Sequence, residues 1–378
     1  MDYAQIRHDL HRIAEPSGME CQTSAYIRQV LQTLHPTAIH TIADAHHLVA
    51  EYDFGHGPVV LVRSDFDAVR VRETMDLPYR SLQDGVSHKC GHDGHATILL
   101  GLAERLCGNP LPAGKVLLFF QGSEETGEGA AQLLASGFMR DYKPDRVFAL
   151  HNIPGIPLGV VTCRAGSFTC SVISCDIELH GKTAHAAEPL NGISPYPAAI
   201  AITDKLLSLC QYDMQRNDYR IATLIEFRVG EPAYGVAAGD AVLRFTVRAK
   251  DDSLLQATKA FVEQVAQQEA SRYRLQHHVS WKEYFAASNN DPDTVNLLRQ
   301  VCETIHYPYV NKEVPFSWGE DFGLLTQQYP GVLFGLGSGE QQPPLHHPDF
   351  DFPDQIIPLG INIFYQLLSA TIQKTSFQ

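Results

Sequence analysis

Residues 58–67 read Pro-Val-Val-Leu-Val-Arg-Ser-Asp-Phe-Asp, a short apolar run followed by two carboxylates. Five consecutive apolar residues predict a strand buried on both faces, which is typical of a parallel sheet covered by helices. In open α/β sheets, ligands bind beyond the carboxyl ends of the strands. The segment therefore predicts an α/β fold in which Asp65 and Asp67 lie at the functional edge of the sheet.

Three further apolar runs are also followed by carboxylate or imidazole side chains. These are the side chains that bind divalent metal ions, and the strand ends should bring them together. We therefore predict a metal site at this edge of the sheet. The runs and the residues that follow them are Val116–Phe120 with Glu124 and Glu125, Val147–Leu150 with His151, and 332–336 with His346 and His347.

Segments with helical spacing, such as 22–34 and 94–106, separate these runs, as expected for a mostly parallel mixed sheet covered by helices. After Gly166 the order changes to strand-helix-strand-strand-helix-strand, which is typical of a ferredoxin-like unit. We predict a discontinuous metal-binding catalytic domain (1–165 and 286–378) with an inserted ferredoxin-like α+β lid domain (166–285). One large irregular domain is the alternative.

The composition limits the classes of partner. The 378 residues carry a formal net charge of −14, which disfavours nucleic acid and anionic membranes because both need a basic surface. No apolar run reaches the roughly 20 residues that span a bilayer, and the N-terminus does not resemble a signal peptide. The eight cysteines are scattered. We predict a cytoplasmic, reduced protein; export by a route without a visible signal is the alternative.

The densest cluster of metal-binding side chains is His88-Lys89-Cys90-Gly91-His92-Asp93-Gly94-His95, just before a helix. Cys90 and His92 are two residues apart, so in an extended segment they point to the same side. A thiolate and an imidazole in that arrangement can bind one metal ion or help to bridge two. A glycine-rich helix start with incidental histidines is the alternative.

The adjacent glutamates Glu124 and Glu125 follow a buried strand. In an extended chain they would point to opposite sides, so that one binds metal and the other faces the substrate as a general base. Such a base would take a proton from a water molecule that a metal ion makes acidic near neutral pH. A solvated surface pair is the alternative.

Taken together, these motifs resemble the zinc aminoacylase and carboxypeptidase superfamily of metallopeptidases. The nearest likeness is its amidohydrolase subfamily, which includes hippurate hydrolases, N-acyl-amino-acid amidohydrolases and auxin-conjugate hydrolases. The motifs occur in the family's order over most of the chain. They are Arg63–Ala68, His88–His95, Glu124-Glu125, His151-Asn152, Gly181–Ala187, Gly319–Phe322 and Leu345–Pro348.

The resemblance implies a role for each matching residue. Cys90 resembles the thiolate that bridges two metal ions, and Glu124 resembles the general base. Asp67 resembles the carboxylate that orients a ligand, and His185 the lid histidine that meets the scissile carbonyl, with a surface-loop histidine as the alternative. The remaining metal ligands implied are His92, Glu125, His151 and His346, whereas His347, His95 and Asp93 are implied neighbours.

Two lid positions bear on the substrate. Gly235 stands where the family often has an asparagine, which leaves the substrate preference open. Arg248 matches a lid arginine that could pair with a substrate carboxylate, but a solvated strand arginine fits equally well.

The resemblance implies an enzyme, a dinuclear metallohydrolase that cleaves the amide bond of N-acyl amino acids or small peptides. Its cofactors would be two divalent ions, zinc or manganese first, with cobalt and nickel as alternatives. The partners implied are a small-molecule substrate and a second copy of the chain bound through the lid domain. Two rivals stay open, namely a thiol amidase with Cys90 as nucleophile and a non-catalytic metal-binding relative.

Overall fold

The computed structural model describes residues 1–42 and 46–375, with side chains described as far as residue 373. In chain order the helices are α1 (Tyr3–Arg12), α2 (Cys21–Thr33), α3 (His92–Gly108), α4 (Gly129–Ala135), α5 (Phe138–Tyr142), α6 (Tyr196–Ser208), α7 (Asp252–Arg272), α8 (Pro292–Thr304), α9 (Gly323–Thr326) and α10 (Ile357–Thr375), with 3-10 turns at Pro189–Asn191 and Asp354–Ile356.

The strands, numbered in the same way, are β1 (Ala38–Ile42), β2 (His47–Asp53), β3 (Val59–Asp65), β4 (Lys115–Gln121), β5 (Arg146–Pro154), β6 (Val161–Cys163), β7 (Gly166–Ser167), β8 (Ser171–His180), β9 (Ala184–His185), β10 (Arg220–Val229), β11 (Val236–Ala237), β12 (Asp240–Ala249), β13 (Gln276–Phe285), β14 (Asn289–Asn290), β15 (Tyr309–Asn311) and β16 (Gly331–Gly339).

The chain divides into two compact units. The first comprises Met1–Phe168, Ser288–Glu313 and Asp321–Gln378, and the second comprises Thr169–Ala287 and Val314–Glu320. The sequence predicted the second unit as one continuous insertion, 166–285. In the structure the unit also includes a short separate segment, Val314–Glu320.

A mixed sheet forms the centre of the first unit, with the order β1-β2-β4-β3-β5-β16-β6-β15 within the described residues. Its middle strands β4, β3, β5 and β16 are parallel neighbours, so their carboxyl ends meet at one edge. Apart from the terminal residues Val59 and Pro154, their apolar residues are buried, as the uninterrupted runs predict for a sheet covered on both faces. The predicted α/β class with a mostly parallel mixed sheet is confirmed.

The second unit is built on an antiparallel sheet of order β10-β12-β8-β13. Along the chain its elements alternate as β8, α6, β10, β12, α7 and β13, which is the split βαβ order predicted from the sequence. Helices α6 and α7 pack on one face of the sheet around a core of its own that includes Ile177, Ile202 and Val262.

One helix in the described residues, Asp354–Gln373, is long and apolar enough to span a membrane by length and composition. More than half of it is buried inside the protein. Its apolar residues, including Ile361, Phe364 and Leu368, belong to the core of the first unit, where α10 packs against α3. The same pattern is typical of the core helix of a globular domain.

Candidate metal centre

The parallel strands of the first unit carry the predicted site residues to one edge of the sheet. Asp65 is the last residue of β3, and the two glutamates follow the end of β4 after Gly122 and Ser123. His151 lies within β5, because this strand continues to Pro154 rather than ending at Leu150 as predicted. His346 lies in the loop that follows β16.

Gly91 brings Cys90 and His92 together. The predicted extended segment is wrong here, because Gly91 has a left-handed φ of 92° and His92 is already the first residue of α3. A Cβ at Gly91 would lie 2.6 Å from Oδ1 of Asn152, so that both the backbone conformation and the space require glycine. The tight turn replaces the extended geometry and still directs Cys90 and His92 to one site.

The glutamate pair also departs from the prediction. Glu124 and Glu125 lie in a turn and not in an extended strand, so they do not point to opposite sides. Instead a carboxylate oxygen of each lies within 4.8 Å of a ring nitrogen of His92. The turn begins at Ser123, which has a φ of 57°, in the left-handed region that non-glycine residues seldom adopt.

All five predicted metal ligands belong to overlapping groups whose ligand atoms lie within 4.8 Å of one another. We call Cys90, His92 and His151 the buried group, and Cys90, Glu125 and His346 the exposed group. Cys90 belongs to both, which is the position that a bridging thiolate would occupy. His92 of the buried group and Glu125 of the exposed group also belong together to a further group, so the two groups adjoin at these side chains as well.

His92 presents one ring nitrogen to the cluster. Its Nδ1–H donates to the backbone carbonyl oxygen of Asp67 at 2.9 Å, which leaves Nε2 as the atom that can bind metal. Nε2 is buried and has no hydrogen-bond partner among the described residues. A buried nitrogen without a partner is costly, and a metal ion would satisfy it.

The charges around His92 favour a cation. Burial opposes its protonation, but Asp65 and Asp67 outweigh burial and raise the pKa of His92 to about 10. Burial also opposes the ionisation of Asp65, yet His92 and Arg63 hold the pKa of Asp65 well below its usual value. Anionic carboxylates beside an imidazole form a site that fits a divalent cation.

The other members of the buried group have the chemistry of metal ligands. Nδ1–H of His151 donates to the carbonyl oxygen of Asn152 at 2.9 Å, and Nε2 lies 3.6 Å from Sγ of Cys90. Burial lowers the pKa of His151 well below its usual value, so the ring is in the neutral form that binds metals.

Burial, together with Glu125 and Glu124, raises the pKa of the Cys90 thiol well above its usual value. A nucleophilic cysteine needs the opposite environment, with a nearby cation that lowers its pKa. Carboxylates around Cys90 therefore disfavour the thiol amidase, whereas a bound cation would stabilise the thiolate as a ligand.

The exposed group lies at the surface of the first unit. Nε2 of His346 is 3.2 Å from Oε1 of Glu125, and about half of the His346 side chain is exposed, at 49%. His346 has a φ of 64°, and its backbone N–H donates to the carbonyl oxygen of Lys89 at 2.7 Å. His347, the neighbour not assigned as a ligand, accepts a hydrogen bond from the backbone N–H of Asp349 through Nδ1.

Asp67 connects the two groups. One carboxylate oxygen lies 3.3 Å from Nδ1 of His92, and the other accepts the backbone N–H of Glu125 at 3.0 Å. The second oxygen also accepts the Ser17 hydroxyl at 2.7 Å. Such contacts hold His92 and the Glu125 backbone in place, and the role of Asp67 towards a bound metal stays a prediction.

Glu124, the predicted general base, is 6% exposed and lies beside the ligands. Its Oε1 accepts the backbone N–H of Asp321 at 3.3 Å. Asp321 is itself held by Arg63 and Gln121, whose side chains donate to its carboxylate at 2.8 and 2.7–2.8 Å. The sequence motif Gly319–Phe322 indicated this region but did not indicate that the Asp321 backbone contacts the base.

Asp65, predicted at the edge of the sheet, and His95, an implied neighbour of the ligands, contact each other in the site. Nδ1 of His95 lies 2.6 Å from Oδ1 of Asp65, and its Nε2 accepts the backbone N–H of Asn152. Asp65, His92 and His95 form another buried set of ligand atoms within 4.8 Å. Their positions in the Asp-Phe-Asp and His88–His95 motifs were the only signal in the sequence.

His185 and Arg248 belong to the second unit. His185 ends the short strand β9, is exposed, and accepts the backbone N–H of Ala187 through Nδ1. The Arg248 guanidinium donates to the carbonyl oxygen of Ser317 at 3.1 Å, so it has a partner within its own unit. The roles of both residues towards a substrate stay predictions.

Comparisons with known proteins identify the family to which the chain is similar. Residues 61–370 match the sequence profile of peptidase family M20/M25/M40. An N-acetylcysteine deacetylase of Bacillus subtilis is 28% identical over 97% of this chain and 96% of the relative. An N-acetyldiaminopimelate deacetylase of Lactiplantibacillus plantarum is 30% identical over 89% and 88%.

Among solved structures, the fold is similar to that of the YXEP protein of Bacillus subtilis, described as a dinuclear metal-binding peptidase of the M20 family. The TM-score is 0.83 at 26% identity, covering 98% of this chain and 97% of the other.

Proposed function

The chain belongs to peptidase family M20/M25/M40, a family of hydrolases, and from that premise we propose that it holds two divalent ions and cleaves the amide bond of small N-acyl amino acids. One observation carries the proposal. The five residues predicted as ligands lie in overlapping groups, and Nε2 of His92 is buried there without a hydrogen-bond partner among the described residues.

The residues proposed to hold the ions are Cys90, His92, Glu125, His151 and His346. Two ions bound there supply Lewis acidity, which makes a water molecule acidic near neutral pH and polarises an amide carbonyl. Asp67 orients His92 through Nδ1 and holds the Glu125 backbone, so that both ligands keep their geometry.

Glu124 is proposed as the proton carrier. Its carboxylate takes a proton from the attacking water and delivers it to the nitrogen of the leaving amine. The Asp321 N–H, 3.3 Å from Oε1, orients this carboxylate. Glu124 itself is buried, which limits exchange of the transferred proton with bulk water.

The proposed substrates are N-acetylated amino acids, with other N-acyl or N-aroyl amino acids and small peptides as further members of the class. Support comes from the two deacetylases that resemble the chain over about nine tenths of its length or more. The acyl group and the amino acid are tested by a screen of N-acyl amino acids. Each of zinc, manganese, cobalt and nickel is added in turn, with a reducing agent that keeps Cys90 a thiol.

The decisive test is the variant Glu124→Gln. We expect turnover to fall by roughly 10²–10⁴-fold, because the amide cannot accept the proton. The metal content should stay near that of the unchanged protein, because Glu124 is not among the five proposed ligands. Elemental analysis and steady-state kinetics on the same preparation check both points, and persistent turnover would show that Glu124 is not the base.

The two rival functions predict different results. A thiol amidase should survive removal of the metal by a chelator, whereas the proposed hydrolase should lose activity and regain it when metal returns. A non-catalytic metal-binding relative should bind ions and turn over no N-acyl amino acid in the screen.

The second unit is proposed to act as a lid and as the surface for a homodimer. Strand β10 is an edge strand of its sheet and exposes Leu224, Ile225 and Phe227, which supports pairing with a second copy. Light scattering of the Ile225→Glu variant tests the proposed dimer, which this variant should form less readily.

Substitution of His185 by Ala should lower kcat more than it raises KM if this residue meets the scissile carbonyl. The cytoplasmic location stays a prediction.

A further inference from the structure

Lys89 is a fully buried lysine between the first histidine of the metal motif and Cys90. Its Nζ donates to Oε1 of Glu73 at 2.5 Å and to the backbone carbonyl oxygen of Phe350 at 2.8 Å. Its own carbonyl oxygen accepts the backbone N–H of His346 at 2.7 Å. One residue thus makes two contacts with the loop that carries His346, while it is covalently joined to Cys90.

Glu73 continues the contact into a buried chain of alternating charges. Oε1 of Glu73 also lies 3.0 Å from Nε2 of His11, whose Nδ1 lies 2.7 Å from Oδ2 of Asp93. The Arg7 guanidinium is 3.6 Å from the same Asp93 oxygen. The chain of charges therefore runs from Lys89 through Glu73, His11 and Asp93 to Arg7.

At its other end, the chain of charges contacts the loop that carries His346 through Arg7. Its Nη1 donates to Oδ1 of Asp351 at 2.8 Å, and its Nε donates to Oδ1 of Asp354 at 2.8 Å. Lys89 contacts the loop at Phe350 and Arg7 contacts it at Asp351, so both ends of the chain hold the same few residues. The loop with His346 is thereby tied to α1 and to the segment before α3.

The groups in the middle of the chain are charged. Burial opposes protonation of His11, but Asp93 and Glu73 outweigh it and raise the pKa of His11 to about 9. Burial also opposes ionisation of Glu73, yet His11 and Lys89 lower the pKa of Glu73 to about 2. Buried ion pairs add little net stability on average, because desolvation offsets the attraction. Because these buried ion pairs add little stability, we look for their role in the positions that they impose on the residues they contact.

We propose that Lys89 is a positioning residue for the metal centre, which holds Cys90 and the His346 loop at the spacing that the exposed group needs to bind an ion. The inference rests on the proposed function, because it presumes that these residues are ligands. Lys89 itself touches neither metal nor substrate. Residues that orient metal ligands typically contribute about 10–100-fold to metal affinity.

The test compares Lys89→Met with the unchanged protein and with Lys115→Met. Lys115 pairs with Glu51 and Asp53 at the start of β4, whereas the two glutamates follow the end of this strand. The Lys115→Met variant therefore also loses a lysine that forms ion pairs, but at a place away from the metal centre. Each protein is stripped of metal, and its thermal unfolding is recorded. Zn²⁺ is then titrated in competition with a chromophoric chelator, and Co²⁺ is titrated separately to record thiolate-to-cobalt absorption.

We expect Lys89→Met to weaken one of two Zn²⁺ constants by about 10–100-fold and to reduce the thiolate-to-cobalt absorption. Lys115→Met should leave both constants unchanged. If a folded Lys89→Met protein keeps both constants within about twofold, or if Lys115→Met weakens them equally, the proposal is overturned.

Loss of Lys89 alone removes one of the two cationic groups, Lys89 and His11, that contact the buried Glu73 carboxylate, and this can prevent folding. The double variant Lys89→Met with Glu73→Gln removes both charges and still offers His11 an amide oxygen. We expect this protein to fold and to keep the weakened Zn²⁺ constant, whereas recovery of full affinity would overturn the proposal. Failure of the unchanged protein to bind two ions would instead overturn the proposed function.

Discussion

The buried and exposed groups of the candidate metal centre share Cys90 but are held in different ways. His92 begins α3 and His151 lies within β5, and each donates an Nδ1 hydrogen to a backbone carbonyl oxygen. His346 stands on a loop, is 49% exposed, and is held through the backbone of Lys89. The regular structure of the first unit therefore positions one group, and a buried ionic chain positions part of the other.

This difference predicts that the two proposed ions bind unequally. Ligands on helices and strands lose little conformational entropy when an ion binds, because their backbone is already fixed. A loop ligand depends on the contacts that hold the loop. The exposed group should thus bind its ion more weakly and lose it first when supporting contacts are removed.

The largest expected effect comes from Cys90→Ala, because Cys90 alone belongs to both groups. We expect both ions to bind weakly and turnover to fall by about a thousandfold or more, since an ion supplies several kcal/mol of transition-state stabilisation. Elemental analysis after dialysis measures the ions, and kinetics measure the turnover. If the variant retained two tightly bound ions, Cys90 would not be a ligand, and the buried and exposed groups would share no residue.

A smaller and unequal effect is expected from His151→Ala and His346→Ala. Each removes one ligand, so each should weaken one ion by more than the roughly 100-fold typical of supporting residues. His151 is buried, and its loss should also destabilise the metal-free protein by about 1–3 kcal/mol. His346 is half exposed, and its loss should change that stability by less than about 0.5 kcal/mol.

Zn²⁺ titration and urea unfolding of the two metal-free variants measure this contrast. Equal losses of stability would show that the buried and exposed groups are not held differently. The weaker constant of the unchanged protein should be the one that His346→Ala affects.

The same contrast explains what the sequence could predict. The apolar runs at Val116–Phe120 and Val147–Leu150 predicted β4 and β5 correctly, because strands buried on both faces are recognisable without knowledge of their neighbours. Strands β1 and β2 were missed. Neither strand contains an apolar run longer than three residues, and β2 pairs with β1 and β4 only in the folded sheet.

Residue types at strand ends and in one dense motif indicated a metal site at this edge of the sheet, and the resemblance to a known family then named the five proposed ligands. The local geometry could not be predicted, since the left-handed Gly91 and the turn at Ser123 depend on packing against Asn152 and other distant residues. The chain through His11 and Glu73 was also missed. Two of its members, His11 and Asp93, are in contact although 82 residues separate them, and no periodicity links the members of the chain.

Asp67→Asn tests the link between the two groups. The amide can replace only part of the carboxylate's contacts with His92 and the Glu125 backbone, so we expect both ions to bind about 10–100-fold more weakly. Ser17→Ala removes a third contact of Asp67 and serves as the control, with a smaller loss. Competition titration with Zn²⁺ measures both constants, and a loss confined to one of them would assign Asp67 to a single group.

The last expected effect leaves ion binding aside and concerns the pH dependence of stability, through the chain of charges that holds the His346 loop. His11 faces Glu73 and Asp93, with Arg7, Tyr79 and His88 nearby. The pKa of His11 is raised to about 9, above its value in the unfolded chain. Its contribution to stability is therefore complete below about pH 6.5 and is lost as the pH rises through about 9.

We expect the free energy of unfolding of the metal-free protein to fall across this range by at most about 3 kcal/mol relative to His11→Gln. Urea unfolding at several pH values between about 6 and 10 measures the difference between the two proteins. A difference that is constant with pH would show that His11 is neutral at its buried position. The chain of alternating charges would then break at its centre, and Lys89 and Glu73 would have to hold the His346 loop as an isolated pair.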